Sequence, residues 1–363
     1  MNWDVAIAGG GPAGAAAACH LARAGRRVVL LERERQPHHK VCGEFVSVEA
    51  GRHLASLGGR GLLGAAARIE SVRLVRGRTE AAAPLPFLAW GLSRRRLDAW
   101  LLDQAERDGV AVCRGRTAQT LAADRAGVRL ETAGGPVVAG AALLATGKHE
   151  LRGHRRQGRG SDLIGLKLHL RLAEAERRAL ARHVELVLFE GGYAGLQPVE
   201  GGLANLCLLV GKGWFAGLGR DWRRLVLSVP HLARRLDGAG ACWLRPLAIY
   251  GMPYGYLHGA GDEGAVYRVG DQVAVIPSFT GDGMAMALHS GAAAAGAILA
   301  GRPPATFHRD VAAAFRRPVR LATLVSSAAG RPWLQGALAT VCRLAPGLIG
   351  EIASRTRIRA ALA

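Results

Sequence analysis

Hydrophobic and polar positions follow several rhythms along this chain, and each rhythm predicts a different element. Trp3 to Ala8 is a short apolar run, the pattern of a strand buried on both faces. Ala15 to Ala24 is dense in Ala and Leu, which predicts a helix, with Gly25 as its C-terminal cap. Val28 to Leu31, ending on Glu32, is a second apolar strand, so this stretch reads as one βαβ unit. From Ser93 onward, Leu97, Leu101 and Ala105 recur at helical spacing, and Val110 to Cys113 returns to strand. Between Ala118 and Ala145, short strands alternate with turns, with a hairpin at Gly134-Gly135.

The middle of the chain changes period. Ile164, Leu166, Leu168, Leu170 and Leu172 alternate with Gly165, Lys167, His169 and Arg171, which predicts a half-buried strand with one wet face. Val184–Phe189, Tyr193–Pro198 and Ala204–Val210 continue the strand pattern without intervening helices, so an antiparallel sheet in a second, α+β unit is expected. Trp222 to Leu236 reads as helix. After Val266, Gly270-Asp271 precedes another predicted strand, and Gly281-Asp282-Gly283 opens an Ala-rich helix to about Ala300. From Arg309 the pattern is helical, with breaks expected at Pro318, Pro332 and Pro346.

Composition narrows the class. A 363-residue chain that is 50% hydrophobic can bury a sizeable core, which excludes disorder as its main state. The formal charge is +20, and only Lys40, Lys148, Lys167 and Lys212 among the 48 basic residues are Lys. The arginines are dispersed and aromatics reach only 5%, so no nucleic-acid partner is expected. Six Cys without a CxxC pair read as reduced thiols, and a cytoplasmic chain is expected. No HExxH or Cys/His zinc spacing occurs, so no metal site is expected.

The first chemistry lies at Gly9-x-Gly11-x-x-Gly14, between the first strand and the first helix. In that context the first Gly permits a tight turn, the second lets a pyrophosphate approach, and the third allows close helix–strand packing. Glu32, eighteen residues after Gly14 at a strand end, suits the ribose hydroxyls and would repel a 2′-phosphate. On this motif alone, FAD and NAD both remain open.

Three further segments decide for FAD by resemblance. Gly270-Asp271 through Pro277, Gly281-Asp282-Gly283 and Met284 resembles the second FAD signature of the geranylgeranyl reductase and para-hydroxybenzoate hydroxylase-fold superfamily. Lys40-Val41-Cys42-Gly43-Glu44 resembles that superfamily's flavin-adjacent K-x-C-G-E segment, and Arg94 with Leu97-Asp98 resembles its R-x-x-L-D helix start. The resemblance implies an α/β fold: a discontinuous, Rossmann-like FAD-binding domain of glutathione-reductase type, an inserted α+β substrate domain and a helical C-terminal tail. The expected division is 1–75, 93–150 and 262–308 for FAD, 76–92 and 151–261 for substrate, and 309–363 for the tail. It implies cofactor contacts from Gly9, Gly11, Pro12, Ala13, Gly14, Glu32, Arg33, Lys40, Cys42, Gly43, Arg94, Gly270, Asp271, Pro277, Gly281, Asp282, Gly283 and Met284. Cys42, Tyr193 and Gln197 are the catalytic candidates; His149 and His169 are weighed as acid–base groups and read as ordinary structural histidines.

The resemblance also implies an FAD-dependent oxidoreductase. The favoured activity is hydroxylation of an aromatic or polyketide-like lipophilic substrate through a flavin hydroperoxide. The alternatives are reduction of a prenyl or other alkene, and a flavoprotein acting as electron-transfer or maturation partner of another protein. The sequence departs from the hydroxylases at Ala145-Thr146-Gly147-Lys148-His149, where their Asp-Gly motif is missing. The electron donor, NAD(P)H or a protein, therefore stays open. The halogenases' W-x-W-x-I-P motif is absent, and only Tyr193 and Pro198 match the aromatic strand of polyprenyl reductases.

The tail carries Leu321, Leu324, Trp333, Leu338, Val341, Leu344, Leu348 and Ile352 interleaved with Arg316, Arg317, Arg320, Arg331, Arg343, Arg355, Arg357 and Arg359. Two placements fit this pattern: peripheral contact with the inner face of an anionic membrane, or packing on the FAD domain.

Overall fold

The computed structural model describes residues 3–124, 127–156, 160–259, 261 and 264–358. Two sheets organise them. In the first, Ala111–Arg114, Val28–Glu32, Trp3–Ala8 and Val137–Leu144 run in that order as parallel neighbours, and Val266–Arg268 also pairs in parallel with Val137–Leu144. Gly127–Thr132 and Ala118–Asp124 extend it as an antiparallel hairpin. Strands buried on both faces need continuous apolar runs, and Val5 to Ala8 and Val28 to Leu31 are all buried.

The helices Pro12–Arg23 and Gly283–Leu299 pack against each other beside this sheet. Their approach depends on Gly291: a Cβ there would lie 2.2 Å from the Ala13 carbonyl oxygen. Small residues at this contact thus let the middle of Gly283–Leu299 pack closely on the start of Pro12–Arg23, just after the interior strand Trp3–Ala8.

The second sheet has nine strands, centred on Leu163–Arg171, Ala204–Gly211, Gly192–Pro198 and Arg182–Phe189. Ala67–Arg76 joins it in parallel with Arg182–Phe189, and Thr79–Gly91 follows. Phe45–Val46 already pairs with Thr79–Gly91 at the edge of this sheet, and Ala67–Arg76 lies wholly within it, so the chain enters the second sheet before the boundary expected at residue 75. The expected unit border near residue 262 adjoins positions outside the described residues.

Three local expectations differ from the structure. Val273–Ile276 is a buried segment outside the regular strands, beginning with a turn at Val273; its backbone pairs with the 255–258 loop, as in Val275 N to Tyr256 O at 2.9 Å. Pro318 does not break the tail: Pro304–Ala329 is one helix, with Phe315, Val319 and Ala322 buried in the first core around Pro318. Apolar burial on both sides of the proline offsets the lost backbone hydrogen bond. Trp222–Leu236 is two short helices, Trp222–Ser228 and Pro230–Arg235, parted before Pro230.

The tail continues as Pro332–Leu344 and Gly347–Arg355. These two helices pack on the strands Thr79–Gly91 and Ala67–Arg76. Buried Gln335 ties them down, donating to Phe189 O (2.9 Å) and Ala329 O (2.6 Å) and accepting from Arg76 Nε (2.9 Å). The tail thus packs on both units. Arg359 lies outside the described residues.

Candidate active site

One cavity of ≈ 680 Å³ opens between the two sheets and the tail. Its nucleotide end is made of backbone. Gly9 adopts φ +114°, and a Cβ there would sit 2.4 Å from the Ala145 carbonyl oxygen. Gly14 faces the Gly9 carbonyl so closely that a Cβ would come within 2.1 Å of its oxygen. Gly14 consequently packs the helix on the loop and does not line the cavity. Gly11 is different: a Cβ there would meet only Arg94 Nη2, at 3.7 Å, so its backbone faces open space. This is the place a pyrophosphate needs, at the N-terminus of a helix that begins with Pro12.

Glu32 ends its strand at the cavity edge. Its carboxylate accepts from Gly10 N (2.8 Å) and Glu34 N (2.9 Å), which fixes its direction and leaves lone pairs for hydroxyl donors. Arg94 makes a two-point contact with Asp98 (2.8 and 2.9 Å), and Lys40 donates to the same carboxylate at 2.8 Å. Burial alone would raise the Asp98 pKa, but the Arg94 and Lys40 cations outweigh it and hold it below the usual range. Asp98 thus aims two cations at the phosphate region.

Gly270, at φ +60°, turns the chain so that Asp271 lines the cavity. The Asp271 carboxylate has no partner among the described residues, while its carbonyl accepts from Arg156 Nη1 at 3.0 Å. An unpaired carboxylate beside an open cradle suits a polyhydroxyl chain. Further along, Gly281 adopts φ +71° against Phe45, and Gly283 and Met284 open the Ala-rich helix onto the cavity. Unpaired N–H groups at that helix start would face the electron-rich edge of a flavin. The open Gly11 backbone, the free Asp271 carboxylate and this helix start fit FAD.

Three expected contacts fall elsewhere. Gly14 is a packing residue, as described. Pro277 does not line the cavity, although Ile276 and Ser278 do. Asp282 is fully buried and points at the tail: it accepts from Arg357 Nη1 (3.0 Å), Ile358 N (3.1 Å) and Ser47 Oγ (3.4 Å). Burial pushes its pKa up to about 6 against the opposing pull of Arg357. The remaining expected cofactor contacts, including Ala13, Arg33, Cys42 and Gly43, line the cavity.

The segment from Lys40 to Glu44 forms the cavity's middle, gripped by Lys148 after the first sheet and by Asn205 and Gln197 of the second. Lys148 Nζ donates to Val41 O at 2.6 Å; Asn205 Nδ2 donates to Gly43 O at 2.8 Å and Cys42 O at 3.2 Å. Gln197 Nε2 donates to Glu44 O at 2.8 Å. Gln197, a catalytic candidate, therefore commits its amide to positioning this segment. Cys42 Sγ accepts from Glu44 N at 3.4 Å.

Glu44 is the residue the sequence reading missed as a site member. It sits at φ +60° and is wholly buried, paired with Lys167 and His169, and its carboxylate accepts from Arg94 N at 2.7 Å. Lys167 and His169 are 0% and 2% exposed, so the face expected to be wet is closed. The signal was present across strands: Lys167 pairs with Cys207, His169 with Asn205, and Asn205 with Gln197, a polar patch on one sheet face. Burial would raise the Glu44 pKa, but His169 and Lys167 outweigh it and lower it. His39, Glu44 and His169 bring donor atoms within 4.8 Å of one another, yet Lys167 already sets a fixed cation on that carboxylate. His149 lines the nucleotide end beside Arg33 (3.4 Å), and burial lowers its pKa.

The far end of the cavity is apolar. Leu74, Leu186 and Leu209 face it from the second sheet, and Leu338, Cys342 and Ile349 from the tail. Tyr193 and Tyr254 line the cavity and both meet Ser278 Oγ, at 3.2 and 3.3 Å; Thr280, Thr356 and Arg357 also line it. Burial raises the pKa of both phenols, to about 12 for Tyr254, so both stay neutral at pH 7.

Comparison with known proteins agrees with this geometry. Residues 2–135 match the family model of an FAD binding domain. The chain is 31% identical over 222 residues to a menaquinone reductase of Mycobacterium tuberculosis and 26% identical over 223 residues to one of Mycolicibacterium smegmatis. Each match covers 56% of this chain, and the chain spans about half (54%) of each relative's length. Among solved structures, the flavin-dependent brominase Bmp2 superposes with a TM-score of 0.80 at 18% identity, over 98% of this chain and 93% of that one. At that identity the likeness speaks for the fold alone. No single helix among the described residues is long and apolar enough to cross a membrane. Residues 2–135 thus form an FAD-binding domain by their family match, the cradle fits that cofactor, and the chain shares the fold of a flavin-dependent enzyme.

Proposed function

We propose that the chain is an FAD-dependent monooxygenase that hydroxylates a lipophilic aromatic or polyketide-like substrate. The observation that carries this reading is the continuity of the cavity: a nucleotide cradle runs directly into an apolar chamber walled by the second sheet and the tail. The reduced flavin would supply two electrons to O₂, one oxygen atom entering the substrate and the other leaving as water. The chain's residues do the rest. The apolar walls of the chamber disfavour water, which would protect an oxygen-reactive centre. Tyr193 and Tyr254, held neutral by burial, offer hydrogen bonds that would orient a ring oxygen of the substrate. The grip on Lys40–Glu44 keeps Cys42 and Gly43 against the cofactor.

A second reading has its own support. The relatives named menaquinone reductases favour reduction of a quinone or of a prenyl alkene in the same chamber. Turnover of a long-chain phenol under ¹⁸O₂ separates the two. Label in the product supports hydroxylation. Oxygen-independent reduction of a polyprenyl quinone, with no labelled product from the phenol, replaces it with the reductase. Flavin oxidation only by a partner protein would leave the electron-transfer reading.

A further inference from the structure

The tail wall of the chamber has two apolar faces, and only one is used inside the protein. On Pro332–Leu344, Gln335, Ala339 and Cys342 are buried, and Leu338 and Cys342 line the chamber. On the opposite side Trp333, Ala337, Val341 and Leu344 recur at helical spacing, and all are exposed. Trp333 is 71% and Leu344 77% exposed; Leu324 and Leu348, on the adjoining helices, are exposed as well. Half of the large apolar residues exposed among the described residues thus fall between positions 324 and 348. A concentration of this kind marks a contact surface, since scattered single residues are the ordinary case.

The charge around the patch selects the occupant. Arg316, Arg317, Arg320, Arg331 and Arg343 are exposed on the same helices, and none pairs with a carboxylate among the described residues. The exposed acids of this region, Asp310 and Glu351, are already paired with Arg302 and Arg355. An apolar stripe with an uncompensated arginine border matches the acyl and phosphate layers of an anionic bilayer. The two helices Pro332–Leu344 and Gly347–Arg355 are jointly apolar enough for a span but meet at a 113° bend, which suits lying in the interface and not crossing it. The wall is one helix thick, about 10 Å.

We infer that the outer face of the tail docks on an anionic lipid surface and brings the chamber to the source of a lipophilic substrate. The purpose, though not the docking, rests on the function proposed above. The test is flotation of the FAD-loaded full-length chain with vesicles of phosphatidylcholine alone and of phosphatidylcholine with phosphatidylglycerol, without substrate. Binding to anionic vesicles that falls at high salt is the expected result. The charge-neutral pair Trp333→Ser with Leu344→Ser should weaken it at least about tenfold with FAD absorbance intact, while Leu227→Ser with Leu244→Ser, exposed elsewhere, should leave it unchanged. No flotation at low salt overturns the docking, as does equal flotation of the wild type and the Trp333/Leu344 variant, which would mean diffuse adsorption of a +20 protein. A dimer that the same two substitutions dissolve, with no vesicle binding, assigns the face to a second copy and also overturns it. None of these outcomes bears on the ¹⁸O result, so the two readings fail separately.

Discussion

The two ends of the cavity are built by opposite means. The nucleotide end uses backbone brought close by missing side chains: Gly9, Gly14 and Gly291 each stand where a Cβ would collide with a carbonyl. The middle uses side chains brought together from distant positions, with Glu44 meeting Lys167 and His169 across more than a hundred residues. The first device works through backbone contacts alone and tolerates little chemistry of its own. The second holds charge inside the protein, which is costly unless every partner is in place. Such a core ties the flavin-adjacent segment to the sheet that lines the substrate chamber.

The largest expected effect breaks the second device. Glu44→Ala leaves Lys167 buried and unpaired, a loss of about 3–5 kcal/mol for a broken buried pair, read as a lower denaturation midpoint. The same pair predicts an acid limit. The folded Glu44 pKa lies below the ordinary glutamate value, so its stabilisation is present above that value and lost as pH falls through the folded one. Unfolding curves from pH 7 to 3 should show this decline, and Glu44→Gln with Lys167→Met should flatten it; an unchanged slope would remove Glu44 as its source. The next effect sharpens the nucleotide end. Asp271→Ala should weaken FAD binding by about 10- to 150-fold, the worth of a charge-assisted hydrogen bond, and wild-type affinity would contradict its role. The smallest effect concerns Cys42. Its Sγ accepts from the Glu44 backbone, which reads as packing, so Cys42→Ser should lower turnover by less than about tenfold with FAD retained. Near-complete loss of turnover would make the thiol a participant.

What was legible in the sequence follows the same division. The cradle was readable because its parts are contiguous: strand, Gly9-x-Gly11-x-x-Gly14, helix and Glu32 all lie within residues 3–32. Asp282 was misplaced because a motif gives spacing without direction; its carboxylate turns from the cavity to Arg357, seventy-five residues away. Lys167 and His169 were read as a wet face because alternation reports which residues share a side, not what covers that side. Their cover, the 39–44 segment, comes from the other unit. The place of Ala67–Arg76 in the second sheet was hidden for a similar reason, since the parallel partner that joins it and its hairpin mate Thr79–Gly91 to the other strands lies more than a hundred residues later.

The central claim is that the cradle and the chamber are one cavity, so a lipophilic ligand should sit beside bound FAD. The direct measurement is a difference-absorbance titration of the FAD-loaded protein with a long-chain alkylphenol, against Leu209→Trp, which fills the chamber from the second sheet. The account expects the phenol to perturb the flavin spectrum of the wild type, and Leu209→Trp to weaken that response at least about tenfold with FAD affinity unchanged. No perturbation in the wild type, or the same titration in both proteins, would contradict it.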